Sequence, residues 1–558
     1  MSATHDPVLP RPGMSSPDDT GMQVEGTLDP LALAALTGIQ GPPQPRGAAE
    51  PPARRGLAAP RWWPLLVVLA VQAGLSLRLV WSNTAFQDEA LYLRAGHLEW
   101  ARWLHGAPIP DFPSYFSGAP VIYPPIGAVA DSIGGLAAAR GLSLCFMLAV
   151  TSLLWATAVR LYGQRAGMLA AGLFATLAGT QFLGALATYD ALALLLLALA
   201  AWLGVRSAAC GVWPRTALAV TAGLTLAAAD AVKYATALFA PVVVVVVALA
   251  VWREHGGGAG LVAALAAFCS WIAAVAAAVA AGGQAYWTGI TTSTLARVQS
   301  AVPVSSVLQR AYIWTGLILL LAVLGVVLAS RSRERGKLLP AVLAAAALIA
   351  PAVQAWLHTT VSLQKHVVFG AWFAAVAAGY GMARLSRVDP GRGWAAVMAL
   401  PIAASTLFGS MGQAAAMYKV WPDSAAAVRV LRSEIRSHPG RYLAEDYDVE
   451  AYYLSSEAPW PRWSSTYRFR YPGTRAGAPS YAAAIKRHYF SLVILNFGDT
   501  AATDTQIAAD MRHAGGYHVV ARAGRFTIWA SPRPPLHPAT PAHPATQARP
   551  PGGHHGHR

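Results

Sequence analysis

Apolar residues run through this chain in blocks, and a block of about 20 is enough to cross the hydrocarbon of a bilayer as a helix. About eleven such blocks stand out: residues 62–81, 140–159, 166–187, 190–206, 216–232, 235–252, 259–281, 311–330, 338–357, 366–384 and 393–412. A further apolar stretch at 122–139 is interrupted by Pro124, Pro125 and Asp131. It reads as a broken or interfacial helix, because a twelfth span there would invert every later loop. Past residue 418 the pattern changes to short β-like runs at 441–445, 491–497, 517–521 and 526–530, alternating with helical stretches at 481–486 and 504–513. Gly515-Gly516 and Ala523-Gly524 are turn signals, the second suited to closing a hairpin.

The expected fold class is an α-helical polytopic membrane protein of about 11 transmembrane helices with a C-terminal extracytoplasmic α/β or α+β domain. The expected organisation is a disordered cytoplasmic tail over 1–60, a transmembrane domain over 61–418 with an outer loop at 82–121, a soluble domain over 419–531, and a Pro/His-rich tail over 532–558. Composition agrees. Of 558 residues, 55% are apolar and 12% charged, against a charged share of about 25% in soluble domains. A water-soluble globule is excluded. The first apolar block starts too late, and is too long, for a cleaved secretory signal.

The net charge of +16 takes on meaning from where the basic residues fall. With the N-terminus cytoplasmic, Arg54, Arg55 and Arg61 precede the first span. Successive inner loops then receive Arg160 and Arg165; Arg206 and Arg215; Arg253; Arg331, Arg333, Arg335 and Lys337; and Arg384, Arg387 and Arg392. This follows the positive-inside rule at each crossing. Nucleic acid is not an expected partner, because the basic excess faces anionic lipid. The three cysteines, Cys145, Cys210 and Cys269, lie in or beside apolar blocks and form neither a metal cluster nor a disulfide framework. His554, His555 and His557 sit in the low-complexity tail, where composition alone explains them.

Candidate chemistry gathers on the outer side. Immediately after the first block comes Phe86-Gln87-Asp88-Glu89-Ala90-Leu91-Tyr92, two adjacent carboxylates at the membrane surface. Acidic residues in a first helical turn also stabilise the helix dipole and cap its free amides, which is the plainer account of the pair. Asp190, in Thr188-Tyr189-Asp190-Ala191-Leu192, is flanked by apolar residues, and an ionisable group near a span centre costs about 2.5–3.5 kcal/mol on insertion scales. Lys233 and Tyr234 interrupt apolar sequence at another outer junction; Asp230, three residues earlier, is spaced to pair with Lys233 on one helix face. Lys365 and His366 open the tenth block on the outer side, against the positive-inside trend, with interfacial snorkelling as the ordinary explanation. Together these clusters suit a site that deprotonates one substrate and holds the phosphate of another.

The Phe86–Tyr92 motif after the first span resembles the polytopic GT-C glycosyltransferases, in particular the glycosyltransferase-39-like group that includes protein O-mannosyltransferases and the aminoarabinose transferase of lipid A. Tyr123-Pro124-Pro125, Ala139-Arg140-Gly141-Leu142-Ser143, Tyr189-Asp190-Ala191-Leu192 and Lys233 are further points of similarity, over roughly residues 60–410. The resemblance implies transfer of a sugar from a polyprenyl-phosphate donor to an acceptor hydroxyl, with inversion. It makes Asp88 the general base and has Glu89 orient the acceptor or support Asp88. Lys233, with Lys365 and His366, would hold the donor phosphate; Tyr92, Asp190 and Tyr234 would shape the cavity. No metal or other cofactor is expected, since no clear ligand set is present. The acceptor class, whether lipid, glycan, protein or small molecule, is left open. The competing classes are a multi-span transporter or lipid-sugar flippase, against which the chain shows no repeated half, and a non-catalytic cell-wall scaffold, which would leave the intramembrane charges without a purpose.

Overall fold

The computed structural model describes residues 62–297, 299–331, 337–385, 407–445, 447–467, 469–513 and 516–532. The expected N-terminal tail, the C-terminal tail beyond Pro532 with its histidines, most of the eleventh apolar block, and Arg333, Arg335, Arg387, Arg392 and Gly515 lie outside the described residues. The membrane part is built from α1 (Trp63–Val80), α2 (Gln87–His105), α3 (Tyr123–Tyr162), α4 (Gln164–Thr176), α5 (Ala178–Leu183), α6 (Tyr189–Ser207), α7 (Val212–Val232), α8 (Ala240–His255), α9 (Gly257–Ile290), α10 (Val304–Ser330), α11 (Leu338–Trp356) and α12 (Leu363–Leu385). Among the described residues, eight helices are long and apolar enough to cross a membrane: α1, α3, α6, α7, α9, α10, α11 and α12. The protein is a multi-pass membrane protein.

Two of the expected spans take another form. The 166–187 block is divided at Leu177, whose extended backbone (φ −60°, ψ 140°) separates α4 from α5. At 1.5 Å per residue the 13 residues of α4 reach only about 20 Å. The 235–252 block opens as a 3₁₀ turn, Tyr234–Leu238, and Pro241 then starts α8, which has 16 residues. The 122–139 stretch is helical and runs into the second span, giving a 40-residue α3 broken at Gly134 and Gly135. Gly135 sits at φ 64°, ψ −162°, a conformation that residues with a Cβ avoid. The two halves thus form one broken helix that counts as a single candidate span.

The three cysteines are free. α12 is the most enclosed span, with 89% of its apolar window buried. That position lets a charged residue at its start be held by protein rather than lipid.

The C-terminal part contains α13 (Ala425–Ser437), β1 (Tyr442–Ala444), α14 (Tyr447–Tyr453), β2 (Trp463–Ser465), α15 (Ala478–Lys486), β3 (Leu492–Leu495), α16 (Ala501–His513), β4 (His518–Ala523) and β5 (Phe526–Ala530). The sheet order is β2-β1-β3-β5-β4. β2, β1 and β3 are parallel, while β5 runs antiparallel to both β3 and β4. One face packs Leu431, Ile435, Tyr442 and Ile528 under α13; the other packs Tyr481, Ile485, Ile507 and Met511 from α15 and α16. This is an α/β/α layering, so the central strand β3 is buried on both faces.

The two parts are joined through α2. Arg94 pairs with Asp448 of α14 and lies over the Tyr447 ring at 5.3 Å. The Tyr453 hydroxyl accepts the Ala85 N–H at 2.8 Å, and the Tyr452 hydroxyl donates to Asp131 at 2.5 Å. Residues 418–424 grip the loop before α2. Asn83 donates to the carbonyls of Tyr418 (2.8 Å) and Trp421 (3.0 Å), Trp421 Nε1 donates to the Thr84 carbonyl (3.0 Å), and the Ser424 N–H donates to Thr84 Oγ1 (2.9 Å).

Candidate functional site

α2 begins where Phe86 is extended (φ −70°, ψ 153°), and its first turn presents Asp88 and Glu89 in different directions. Glu89 turns inward and is fully buried. Its Oε1 accepts Arg140 Nε at 2.8 Å and the Ala187 N–H at 2.7 Å; its Oε2 accepts Arg140 Nη2 at 2.6 Å and the Phe86 N–H at 2.9 Å. The remaining Arg140 donors reach the carbonyls of Val80 (2.6 Å), Asn83 (2.9 Å) and Thr84 (3.2 Å). Every guanidinium donor is used, as burial of such a pair requires. The grouping of Glu89 with Asp88 as catalytic is therefore revised. All four of its lone-pair positions are taken, and no face remains for an acceptor. Its role is to position the first turn of α2, which is the helix-capping account applied to one residue of the pair.

Asp88 turns the other way and meets Lys365, whose Nζ donates to Oδ2 at 2.6 Å. Lys365 Nζ lies 3.7 Å from Asp190 Oδ2, and Lys233 Nζ lies 2.8 Å from Asp190 Oδ1. Thr188 Oγ1 donates to Asp190 at 2.9 Å. The result is an alternating series, Asp88, Lys365, Asp190, Lys233. Within it the Asp88 side chain is 28% exposed, against 4%, 0% and 5% for the others. Lys233 also faces the Tyr189 ring at 4.7 Å, and Lys365 the Phe86 ring at 5.7 Å.

Lys233 arrives there because α7 stops. Its backbone is extended (φ −149°, ψ 110°), and the loop before α3 pairs with it: the Ala119 N–H donates to the Ala231 carbonyl at 2.7 Å, and the Tyr234 N–H to the Ser117 carbonyl at 3.0 Å. A Cβ on Gly118 would fall 2.0 Å from the Val232 carbonyl oxygen, so the approach admits only glycine. The i, i+3 pair of Asp230 with Lys233 does not form. Asp230 instead accepts from Trp271 Nε1 at 2.7 Å and Thr236 Oγ1 at 2.5 Å, because the helix ends between the two residues and sends Lys233 toward Asp190.

The aromatic candidates lie beneath the charges. Tyr92 packs on Tyr189 (4.5 Å between centroids) and Phe116 (5.4 Å) and is nearly buried, so it forms floor rather than open lining. Tyr234 is buried too, and its hydroxyl has no hydrogen-bond partner. His366 Nδ1 meets Gln354 Nε2 at 2.7 Å, which occupies one ring nitrogen and leaves Nε2. Among the described residues no group of three or more His, Cys, Asp or Glu is disposed to hold a metal ion.

One residue escaped the sequence reading. Arg297, just beyond α9, is half-buried and within electrostatic reach of Tyr189 and His366. Burial lowers its pKa from the ordinary guanidinium value. No carboxylate pairs with it among the described ion pairs. The signal was present: like Lys365, it is a basic residue on the side expected to be outer.

No protein-family model matches the sequence, and a search of curated proteins finds no relative. Solved structures do match. ArnT from Cupriavidus metallidurans, in a crystal structure bound to undecaprenyl phosphate, superposes with a TM-score of 0.55 at 15% identity, covering 84% of this chain and 98% of ArnT. The fold is that of the GT-C membrane glycosyltransferases. The archaeal oligosaccharyltransferase AglB from Archaeoglobus fulgidus, in complex with an inhibitory peptide and a dolichol-phosphate, gives a TM-score of 0.51 at 13% identity over 84% of this chain and 74% of AglB. The arabinofuranosyltransferase AftD from Mycobacteria gives 0.51 at 16% identity, over 84% of this chain and 42% of AftD. At these identities the likeness carries the GT-C fold, and chemistry has to be argued from this chain's own residues.

Proposed function

We propose that this chain is a membrane glycosyltransferase that moves a sugar from a polyprenyl phosphate to an acceptor hydroxyl at the extracytoplasmic face, with inversion. The reading rests on one observation: a buried, alternating carboxylate–ammonium series that opens to solvent at Asp88. It is supported by the GT-C fold, two of whose solved members carry undecaprenyl phosphate and dolichol-phosphate.

Asp88 is the general base. The acceptor oxygen forms its bond to the anomeric carbon as the bond from that carbon to the phosphate oxygen breaks. The hydroxyl proton passes to Asp88, and the electron pair leaves with the phosphate. Attack from the side opposite the leaving phosphate inverts the anomeric configuration. Lys365 holds one Asp88 oxygen at rest. An arriving phosphate competes for the same ammonium, freeing an Asp88 oxygen for the acceptor when the donor is present.

The series carries two carboxylates and two ammoniums, so it is neutral by itself and a donor phosphate needs another cation. Arg297 supplies it, beside Lys233 and the free Nε2 of His366. A fixed cation in a water-poor site stabilises charge developing on the leaving oxygen by roughly 3–4 kcal/mol, as for an oxyanion donor. The polyprenyl chain partitions into the bilayer and delivers its sugar phosphate at the interface, the depth at which these groups lie on the positive-inside assignment.

The test is incubation of the purified protein in lipid nanodiscs with a panel of polyprenyl-phosphate hexoses and pentoses, and cell-envelope extract as acceptor source. Mass analysis follows the polyprenyl phosphate released. Release that depends on Asp88 supports the reading; its absence with every donor refutes it. Cysteine labelling should find 83–118 and 420–531 outside and 331–337 inside, and reversed labelling removes the extracytoplasmic assignment.

A further inference from the structure

A second gathering of buried polar groups lies far along the chain from the Asp88 series, in the soluble part. The chain leaves β1 toward β2 and leaves β3 toward β5 and β4, on opposite sides of the sheet. In open α/β sheets, ligands settle at the carboxyl ends of parallel strands where the connections diverge in this way. The residues just past those ends are Glu445 after β1, Thr466 and Tyr467 after β2, and Asn496, Phe497 and Gly498 after β3.

These residues are tied into one platform. Glu445 accepts the Gly498 N–H at 3.0 Å and also the Thr500 N–H. The hydroxyls of Thr466 and Thr500 meet at 2.7 Å, and Asp504 accepts from Thr500 Oγ1 and the Phe497 N–H, both at 3.0 Å. These bonds account for the buried carboxylates as a way of fixing the loop, but three features go beyond that need. Asn496 is 93% buried (7% exposed), and its Oδ1 has no partner. That oxygen lies in the cluster itself, since a Cβ on Gly498 would come within 2.7 Å of it and 3.2 Å of Glu445 Oε2. Two aromatic rings, Tyr467 at 39% and Phe497 at 38%, stay exposed beside it, and the Tyr467 hydroxyl reaches Asp499 at 3.4 Å.

The chemistry selects the ligand. Glu445 and Asp504 repel an anion, and no metal-ligand group is present among the described residues. A neutral polyol fits. Its C–H face lies on an aromatic ring, and its hydroxyls both donate and accept, matching an unpaired amide, carboxylates and a phenol at one edge. We propose that the carboxyl edge of β1, β2 and β3 is a carbohydrate-binding subsite, with Phe497 and Tyr467 as stacking platforms and Asn496 as the hydrogen-bonding anchor. It is independent of the Asp88 reading.

The experiment is saturation-transfer NMR on the full chain in nanodiscs, prepared free of sugar-headed detergent, with methyl glycosides of glucose, galactose, mannose and arabinose as probes. At least one glycoside should receive transfer at its ring protons. The Phe497→Gly/Tyr467→Ala double variant should cut that transfer more than fivefold, and Asn496→Ala should weaken it. Glycine suits the left-handed backbone of residue 497 (φ 53°), so removing this ring adds no backbone strain. Asp88→Asn should leave the transfer unchanged. The proposal falls if no glycoside receives transfer, if transfer survives the double variant, or if Asp88→Asn abolishes it.

Discussion

Asp88 and Glu89 share one helical turn, yet they belong to two different charge networks. Around Glu89 the bonding is closed: four donors reach two oxygens, every guanidinium donor of Arg140 is spent, and nothing faces solvent. Around Asp88 it is open: one ammonium holds one oxygen, and more than a quarter of the side chain remains accessible. Closed networks fix geometry, whereas open ones can exchange partners with a substrate. Adjacency in sequence says little about shared duty; the number of bonds left unmade says more.

The sharpest way to break this comparison is to treat the two acids alike. Asp88→Asn should reduce turnover by about 10²–10⁴-fold, the usual worth of a positioned base, while the thermal unfolding midpoint stays where it is. Matching losses of activity and stability would erase the distinction. Arg140→Ala should do the reverse and cost about 3–5 kcal/mol of stability, because it strands a buried carboxylate. Thermal unfolding in nanodiscs and the amount of protein reaching the membrane both report it. On the open side, Lys233→Ala should raise the donor concentration needed for half-maximal rate by about 10–100-fold, as for loss of a charge-assisted contact, and Arg297→Ala by about 2–10-fold. An unchanged donor dependence in either variant returns that residue to a structural role.

A last test extends the comparison to the C-terminal part. Burial, then Glu445 beside it, raises the Asp504 carboxyl from 3.8 to about 7. The native protein thus holds this proton more tightly than the unfolded chain, so local stability should fall as pH rises between about 4 and 7 and level off outside that window. Hydrogen exchange over residues 497–513 of the full chain, corrected for intrinsic rates, measures it. Slower corrected exchange at pH 8 than at pH 5 contradicts the sign.

Much of the membrane architecture was legible, since a run of 20 apolar residues has few alternatives. The exceptions have local causes. Leu177 and the Tyr234–Leu238 turn interrupt helices inside sequence that remains apolar, so hydropathy cannot register them. β2 was missed because Trp463-Ser464-Ser465 is short and follows Pro459 and Pro461, and an edge strand of three residues carries almost no pattern. Asp88, Asp190, Lys233 and Lys365 were each visible as charges out of place, but their order of pairing was not. Asp230 looked the better partner for Lys233 until the end of α7 turned the lysine away. Arg140 could be noticed only as part of a motif, because its hydrogen-bond partners Val80, Asn83, Thr84 and Glu89 lie 51–60 residues away along the chain.

The grip of residues 418–424 on the loop before α2 also bears on how the protein is made. Asp88 leaves the ribosome early, but the lysine that holds it follows 277 residues later, and Ser424, which bonds to Thr84, 340 residues after that threonine. During translation the first spans are therefore made long before the Asp88 series and its bracing loop can be completed. A chain cut short before Tyr418 would keep Asp88, Asp190, Lys233 and Lys365 but leave the loop before α2 without its bonds to the segment that follows the spans.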